Sequence, residues 1–86
     1  MAYELAYITD PGHGWLLVTV DQAAALNLHP SDFSSYSYRM GDVLALEEDC
    51  DMALFLDAYE SHFKEVPLIR ANHVNHNAPI RDWDRI

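Results

Sequence analysis

Four carboxylates and the chain's one cysteine stand together at residues 47–51, in the order Glu-Glu-Asp-Cys-Asp. Such residues could act as an acid and base pair, as metal ligands or as a cysteine nucleophile. The neighbouring negative charges disfavour a thiolate, which argues against the nucleophile. Adjacent carboxylates occur at glycosidase sites, but 86 residues leave little room for a substrate cleft. We therefore expect no catalytic residue and no enzymatic activity.

Histidines offer the second candidate chemistry, a metal site built on His73 and His76 with His13, His62 or Cys50. Residues three apart on a regular strand point to opposite faces, so His73 and His76 cannot share a face there. The chain also lacks paired Cys spacing and an H-E-x-x-H helix. We expect polar histidines, no metal site and no cofactor.

The charge balance points to binding. Fourteen acidic residues against five basic ones give a formal charge of -9. Nucleic-acid binders neutralise phosphates with clustered Lys and Arg, so direct nucleic-acid binding is not expected. A surface of this sign is attracted to basic grooves, including those that hold DNA or RNA. The predicted partner-binding patch comprises Glu47, Glu48, Asp49, Asp51, Asp57 and Glu60. The alternative is a solvated acidic face without a partner.

Trp83 is the remaining candidate contact residue, and it is flanked by Arg81, Asp82, Asp84 and Arg85. Trp, Tyr and Arg are enriched among the residues that dominate binding energies. Trp83 could therefore anchor a partner. The alternative, equally compatible with the sequence, is that Trp83 folds back onto the sheet edge.

Strand and turn patterns occupy the first half of the chain. Residues 3–9 and 15–20 are rich in aromatic and β-branched side chains, and the turn residues 10–14 separate them, which predicts a hairpin. Asp21 is expected to cap a short helix over 22–27. A second hairpin follows, with strands on either side of Gly41-Asp42. In its first strand, 34–40, alternation predicts one buried face carrying Tyr36, Tyr38 and Met40 and an outer face carrying Ser35, Ser37 and Arg39.

Apolar residues at 52, 55, 56, 59 and 63 have the spacing of an amphipathic helix. Asp49 or Asp51 stands at its N-cap position, and Val66-Pro67 is expected to end it. A strand over 68–74 and a polar C-terminal tail, 75–86, complete the chain. The predicted order is β-β-α-β-β-α-β, a single α+β domain over 1–86 with a mainly antiparallel sheet packed by one long amphipathic helix.

Half of the residues are hydrophobic, which predicts a packed globule. No apolar run approaches the roughly 20 residues of a membrane span, and the N-terminus lacks the pattern of a signal peptide. One cysteine cannot form an internal disulfide, which fits a reducing compartment. We expect a soluble cytoplasmic protein with no membrane partner, either monomeric or paired as a homodimer through an open sheet edge.

The stretches GHGWLLV (12–18), SSYSYRMGD (34–42), LEEDCD (46–51) and APIRDWDRI (78–86) resemble a family of short, mostly uncharacterised proteins of phages, prophages and bacterial chromosomes. The resemblance implies a small protein carried by mobile elements. Small acidic proteins in that setting include anti-CRISPR proteins and other inhibitors of bacterial defence, some of which act as DNA mimics.

These observations combine into one leading hypothesis. The protein is expected to be a non-enzymatic inhibitor that occupies a basic surface on a protein or ribonucleoprotein complex, with a CRISPR effector as one candidate, in the host cytoplasm. Two alternatives stay open. One is a protein-interaction or regulatory module that uses its aromatic and C-terminal residues, and the less favoured one is a small metal-dependent enzyme.

Overall fold

A computed structural model describes residues 4–86 of the chain. In chain order, the strands and helices are β1 (Glu4–Thr9), β2 (Gly14–Thr19), α1 (Val20–Ala24), β3 (Tyr38–Met40), β4 (Val43–Glu47), α2 (Met52–Phe63), β5 (Leu68–His73) and β6 (Asp84–Arg85). Two short 3-10 helices, Pro30–Asp32 and Pro79–Asp82, lie between them. The first three residues lie outside the described part, so the predicted start of β1 at residue 3 is not tested.

One six-stranded sheet in the order β5-β1-β2-β4-β3-β6 organises the fold. The neighbours β1–β2, β2–β4, β4–β3 and β3–β6 are antiparallel. β5 runs parallel to β1, from Glu4↔Leu68 to Thr9↔His73. The α+β class and the mainly antiparallel sheet are thus confirmed, and the short strand β6 extends the predicted order.

Both predicted hairpins are present, and their turn residues explain them. The Asp10 main-chain N–H donates to the His13 carbonyl at 2.9 Å, while an Asp10 side-chain oxygen accepts from the Gly12 and His13 amides. This is the local bonding that makes Asp a turn residue. In the β3–β4 turn, Gly41 has a φ of 56°, a conformation in which a Cβ is costly.

Helix α1 begins earlier than predicted, because Thr19 and not Asp21 is its N-cap. The Thr19 hydroxyl accepts from the Gln22 amide, and the Gln22 side chain accepts from the Thr19 amide. This reciprocal pair is a capping box, which leaves Asp21 exposed in the first turn. Asn27, the last residue of the predicted helix, lies beyond the observed end of α1 and has a left-handed conformation, with φ 60°.

Helix α2 has twelve residues, which is about the average length of helices in globular proteins. The prediction of a long helix was therefore slightly overstated. Its predicted apolar face is confirmed, since Phe55 and Tyr59 are fully buried and the other three positions are partly buried. The helix ends at Phe63 because Lys64 takes a left-handed conformation, with φ 59°. It thus ends before Pro67 is reached.

The predicted faces of the strand over 34–40 are wrong in part. Ser37 is buried, whereas Tyr36 and Met40 are 63% and 56% exposed. Met40 is the last residue of β3, beside the turn at Gly41. For Tyr36 and Ser37 the reason is that β3 begins only at Tyr38, while residues 34–37 form a turn in which the Ser37 amide donates to the Ser34 carbonyl. Alternation holds only where the chain is extended.

Two apolar clusters cover opposite faces of the sheet. Strand alternation sends Leu16, Leu44 and Leu46 into the larger cluster, with Phe55 and Tyr59 of α2. The smaller cluster contains Trp15, Tyr38, Ala45, Ala78 and Ile80. The C-terminal residues 78–83 therefore cover the sheet face that carries Trp15. No helix within residues 4–86 is long and apolar enough to span a bilayer.

Candidate binding surface

Glu47, the first acid of the run, is buried at the end of β4 and is used internally. One oxygen of its carboxylate accepts from the Asp49 and Cys50 amides, at 2.6 and 3.0 Å. The Glu47 main-chain N–H donates to the Ser37 hydroxyl at 2.9 Å. The Glu47 carboxylate therefore fixes the turn between β4 and α2.

Asp51 occupies the N-cap position of α2, as one of the two predicted alternatives has it, but its side chain makes no capping hydrogen bond. Its buried carboxylate accepts instead from the Ser34 amide at 2.9 Å, from the Ser34 hydroxyl at 2.8 Å and from the Ser37 hydroxyl. Asp51 thus ties the start of α2 to the turn that precedes β3.

Glu48 and Asp49, between these two buried acids, are exposed. Glu48 accepts a hydrogen bond of 2.5 Å from the Tyr7 hydroxyl. Burial raises the Tyr7 pKa to about 12, and the hydrogen bond to Glu48 and the nearby negative charges act in the same direction. The acids of this run therefore have two roles. The first and last, Glu47 and Asp51, hold the turn, and the two between them face solvent.

Asp57 and Glu60 are exposed on α2, where they line a shallow depression together with Ser61. Their positions along the helix lie about 8 and 12 Å from its first residue, at 1.5 Å per residue. The structure thus separates the six predicted acids into two buried residues and two exposed pairs, one pair on the turn and one on the helix.

Cys50 is exposed on the same turn, and it does not have the environment of a nucleophile. Partial burial raises the pKa of its thiol, and the charge of Glu47 and the neighbouring aspartates raises it further. Reactive cysteines have lowered pKa values in electropositive surroundings, so this site shows the opposite arrangement.

A small pocket of about 140 Å³ lies beside this turn, on the sheet face that carries Trp15. Aromatic and charged side chains line it together, namely His13, Trp15, Tyr36, Tyr38, Glu47, Arg81 and Arg85. The Arg81 guanidinium lies 5.4 Å from the Trp15 ring, and that of Arg85 lies 4.9 Å from the Tyr38 ring. Both distances are in the range of cation–π interactions.

The polar groups of the pocket are paired with neighbouring residues, with one exception among the described residues. The Glu47 oxygen that is not bonded to the turn amides lies 3.3 Å from His13 Nδ1. The buried Trp15 Nε1 has no hydrogen-bond partner within the described residues. Arg85 donates to the Ser35 carbonyl at 2.9 Å. Sequence reasoning missed this pocket because its members come from four separate segments, and only the Arg-Asp-Trp-Asp-Arg pattern at 81–85 hinted at it.

A partly buried ion pair holds the C-terminal wall of the pocket in place. The Asp10 carboxylate, whose side chain is fully buried, accepts from Arg81 Nε and Nη2 at 2.6 and 2.9 Å. The same carboxylate accepts from the Ala78, Gly12 and His13 amides. The Arg81 hydrogen bonds, with those from the amides, hold the Asp10 pKa far below its ordinary value. Asp10 thus joins the β1–β2 turn to the C-terminal segment.

Trp83 is half-buried and packs against the smaller apolar cluster. It does not line the pocket, whose aromatic side chains are Trp15, Tyr36 and Tyr38 together with His13. Its position agrees with the alternative in which the C-terminal segment folds back onto the sheet.

The candidate metal residues are spread apart. Within residues 4–86, no three His, Cys, Asp or Glu side chains are grouped so that they could hold a metal ion. His73 Nδ1 lies 2.8 Å from the Thr9 hydroxyl, and His76 Nδ1 lies 3.2 Å from the Asn77 carbonyl. These contacts are those of ordinary polar histidines.

Neither protein-family models nor curated proteins nor solved structures include a match to this chain. The resemblance to proteins of mobile elements therefore stays a prediction.

Proposed function

We propose that the protein is a non-catalytic, acidic binding protein that docks on a basic surface of a nucleic-acid-binding complex. The observation that carries this proposal is the division of its acids. Asp10, Glu47 and Asp51 are buried and hydrogen-bonded, while the other eleven of the fourteen acidic residues are exposed. The folded surface is therefore strongly negative, and most of its charge is available to a partner.

The exposed acids of the turn are held in position before any partner arrives. Glu47 bonds the amides of the turn from one side, and Asp51 fixes the start of α2 from the other. Tyr7 additionally holds the Glu48 side chain. Groups that are already ordered lose less conformational entropy on binding, so this turn is suited to direct contact.

Charge density sets the expected mode of binding. The protein measures 35 Å along its longest axis. Duplex DNA of that length carries about 20 charges, at one per roughly 1.7 Å. Eleven exposed acids spread around the whole surface have a lower density than this. The field therefore steers the protein to a basic groove, and the turn pair and the helix pair supply the local contacts.

The narrower form of the proposal concerns biology. A basic groove that holds DNA or RNA is a functional surface of CRISPR effectors and of other defence complexes. The protein would act there as an inhibitor carried by a mobile element, in the cytoplasm of the host, by excluding the nucleic acid. This form rests on the motif resemblance together with the exposed acidic surface.

The test is a pull-down of tagged protein from nuclease-treated host lysate at low and moderate salt, followed by mass spectrometry. Two double variants probe the proposed contacts, Glu48→Lys with Asp49→Lys, and Asp57→Lys with Glu60→Lys. Asp21→Lys with Asp42→Lys is the matched control, because it makes the same charge change at exposed acids elsewhere.

We expect recovery of a nucleic-acid-binding complex whose binding weakens as the salt concentration rises. Both probe variants should lose this complex, and the control should keep most of it. Equal loss of the complex in all three variants would mean that binding depends on the net charge of the protein and not on these particular acids. Full retention in both probes would contradict the proposal.

The pocket supports a second candidate function, a protein-interaction module that recognises one side chain of a partner. Tyr36, 63% exposed at the pocket, is the residue best placed to contact such a partner. Under this alternative, Tyr36→Ala abolishes partner recovery, and the charge-reversal variants bind normally at any salt concentration. Tyr36→Phe, which keeps the ring, is the control.

A further inference from the structure

Strand β5 is an edge strand with an unusual exposure. It pairs with β1 on one side, and no strand within residues 4–86 pairs with its other side. All six of its residues are exposed. Long edge strands without a cover tend to pair with another strand, and natural proteins usually block them with charges, prolines or bulges.

The backbone of β5 shows which groups are open. Consecutive residues of a strand direct their N–H and C=O groups to opposite sides. The Val74 amide donates to the Thr9 carbonyl of β1, so the even-numbered residues of β5 face β1. Ile69, Ala71 and His73 therefore present their main-chain groups outward, and none of the three is a proline.

The side chains along this edge permit close approach. Leu68 and Ile69 are 63% and 41% exposed, and the preceding Val66 is 67% exposed. The strand contains no carboxylate, although fourteen occur in the chain. Its one charge, Arg70, lies 3.1 Å from Glu4 of β1. This edge is therefore locally neutral, and apolar at its start, on a strongly acidic protein.

We propose that two copies of the chain pair antiparallel through β5, forming one continuous sheet of twelve strands. Outward residues must face outward residues, which restricts the possible registers. A two-fold axis at Arg70 would set two guanidinium groups side by side. An axis at Ala71 avoids this clash, because it sets Arg70 opposite Asn72 of the second copy and Ile69 opposite His73.

The occupant is a second copy because the edge is self-complementary in this register, and because the pairing closes. The opposite edge of the sheet is β6, which has two residues, both charged. So short an edge cannot continue the addition of strands, and a two-fold contact uses up both β5 edges. Association through β5 therefore ends at a dimer.

The experiment is sedimentation velocity, with light scattering, over a wide range of concentrations and at two salt concentrations. The probe is Ile69→Lys, which places a charge on the edge. Leu54→Lys is the matched control, since Leu54 is 40% exposed on α2 and Ile69 is 41% exposed on β5. Ala71→Pro is a second probe that removes only an outward-facing N–H, and circular dichroism checks that every variant folds.

The mass of the wild type is expected to double from 9.8 kDa as concentration rises. Salt should favour the dimer, because it screens the repulsion between two acidic copies. The complex with a basic partner that is proposed above weakens with salt instead. The salt dependence therefore distinguishes failure of one proposal from failure of the other. Ile69→Lys and Ala71→Pro should stay monomeric, and Leu54→Lys should dimerise. A wild type that stays monomeric throughout, or folded edge variants that still dimerise, would overturn the proposal.

Discussion

Replacing Asp51 tests the central claim about the acidic run, that its last member is an internal anchor and not a helix cap. The carboxylate is buried and accepts from the Ser34 amide and from the hydroxyls of Ser34 and Ser37. In Asp51→Ala all three donors lose their acceptor. Ser34 can turn to water because it is only partly buried, whereas Ser37 is fully buried and cannot.

Hydrogen bonds to a charged group contribute about 1.5–3 kcal/mol each, and burying an unpaired donor carries a similar penalty. With water replacing part of the loss at Ser34, Asp51→Ala should destabilise the fold by about 3 kcal/mol. A domain of this length has a total stability of roughly 4–13 kcal/mol. The midpoint of thermal unfolding should therefore fall by roughly 10–25 °C.

Thermal and urea unfolding followed by circular dichroism measure this change, and two comparisons make it specific. Asp49→Ala removes an exposed acid two residues away and should change stability by no more than about 0.5 kcal/mol. Asp51→Ser keeps a good N-cap residue but is too short to reach the serines, so it should cost nearly as much as Asp51→Ala. If Asp51→Ser is as stable as the wild type, the side chain acts as a cap and the reasoning is refuted.

Two further predictions concern titrating groups. Because the Tyr7 pKa is raised to about 12 from 10.0, the stabilisation that depends on protonated Tyr7 is complete below pH 10 and is lost as pH rises to about 12. Ultraviolet titration should show a late-ionising component that Tyr7→Phe removes, and a late component that is unchanged in Tyr7→Phe, or absent from the wild type, would contradict the Tyr7–Glu48 contact. Because burial and the acids around it raise the Cys50 pKa, alkylation by iodoacetamide at mildly alkaline pH should be slower in the folded protein than in urea. Equal rates in the two states would count against that environment.

The sequence predicted the elements whose signals are local. Both hairpins follow from turn residues, and α2 follows from the spacing of its apolar residues. Thr19 and Gln22 have the spacing of a capping box, so the sequence also contained the signal for the Thr19 N-cap. The prediction placed the N-cap at Asp21 instead, two residues too late. Local hydrogen bonds of this kind need only a few neighbouring residues.

The features that the sequence did not predict depend on distant partners. The parallel pairing of β5 with β1 leaves no pattern in the sequence. All residues of β5 are exposed, so its apolar and polar side chains do not alternate. The burial of Asp10 and Asp51 depends on groups 71 and 17 positions away along the chain. An isolated Asp looks like a turn or cap residue in sequence, and only tertiary contacts decide which role it takes.

The bond between Asp10 and Arg81 has a consequence for how the protein is made. Synthesis proceeds from the N-terminus, so the β1–β2 hairpin exists long before its salt-bridge partner has been added. Until residue 81 is available, Asp10 must remain hydrated, and the sheet face that carries Trp15 has no cover. Native structure is therefore completed late, and a closure over so long a stretch of chain slows folding. A chain cut short before Arg81 would display an aromatic surface, and proteases could distinguish it from the finished protein.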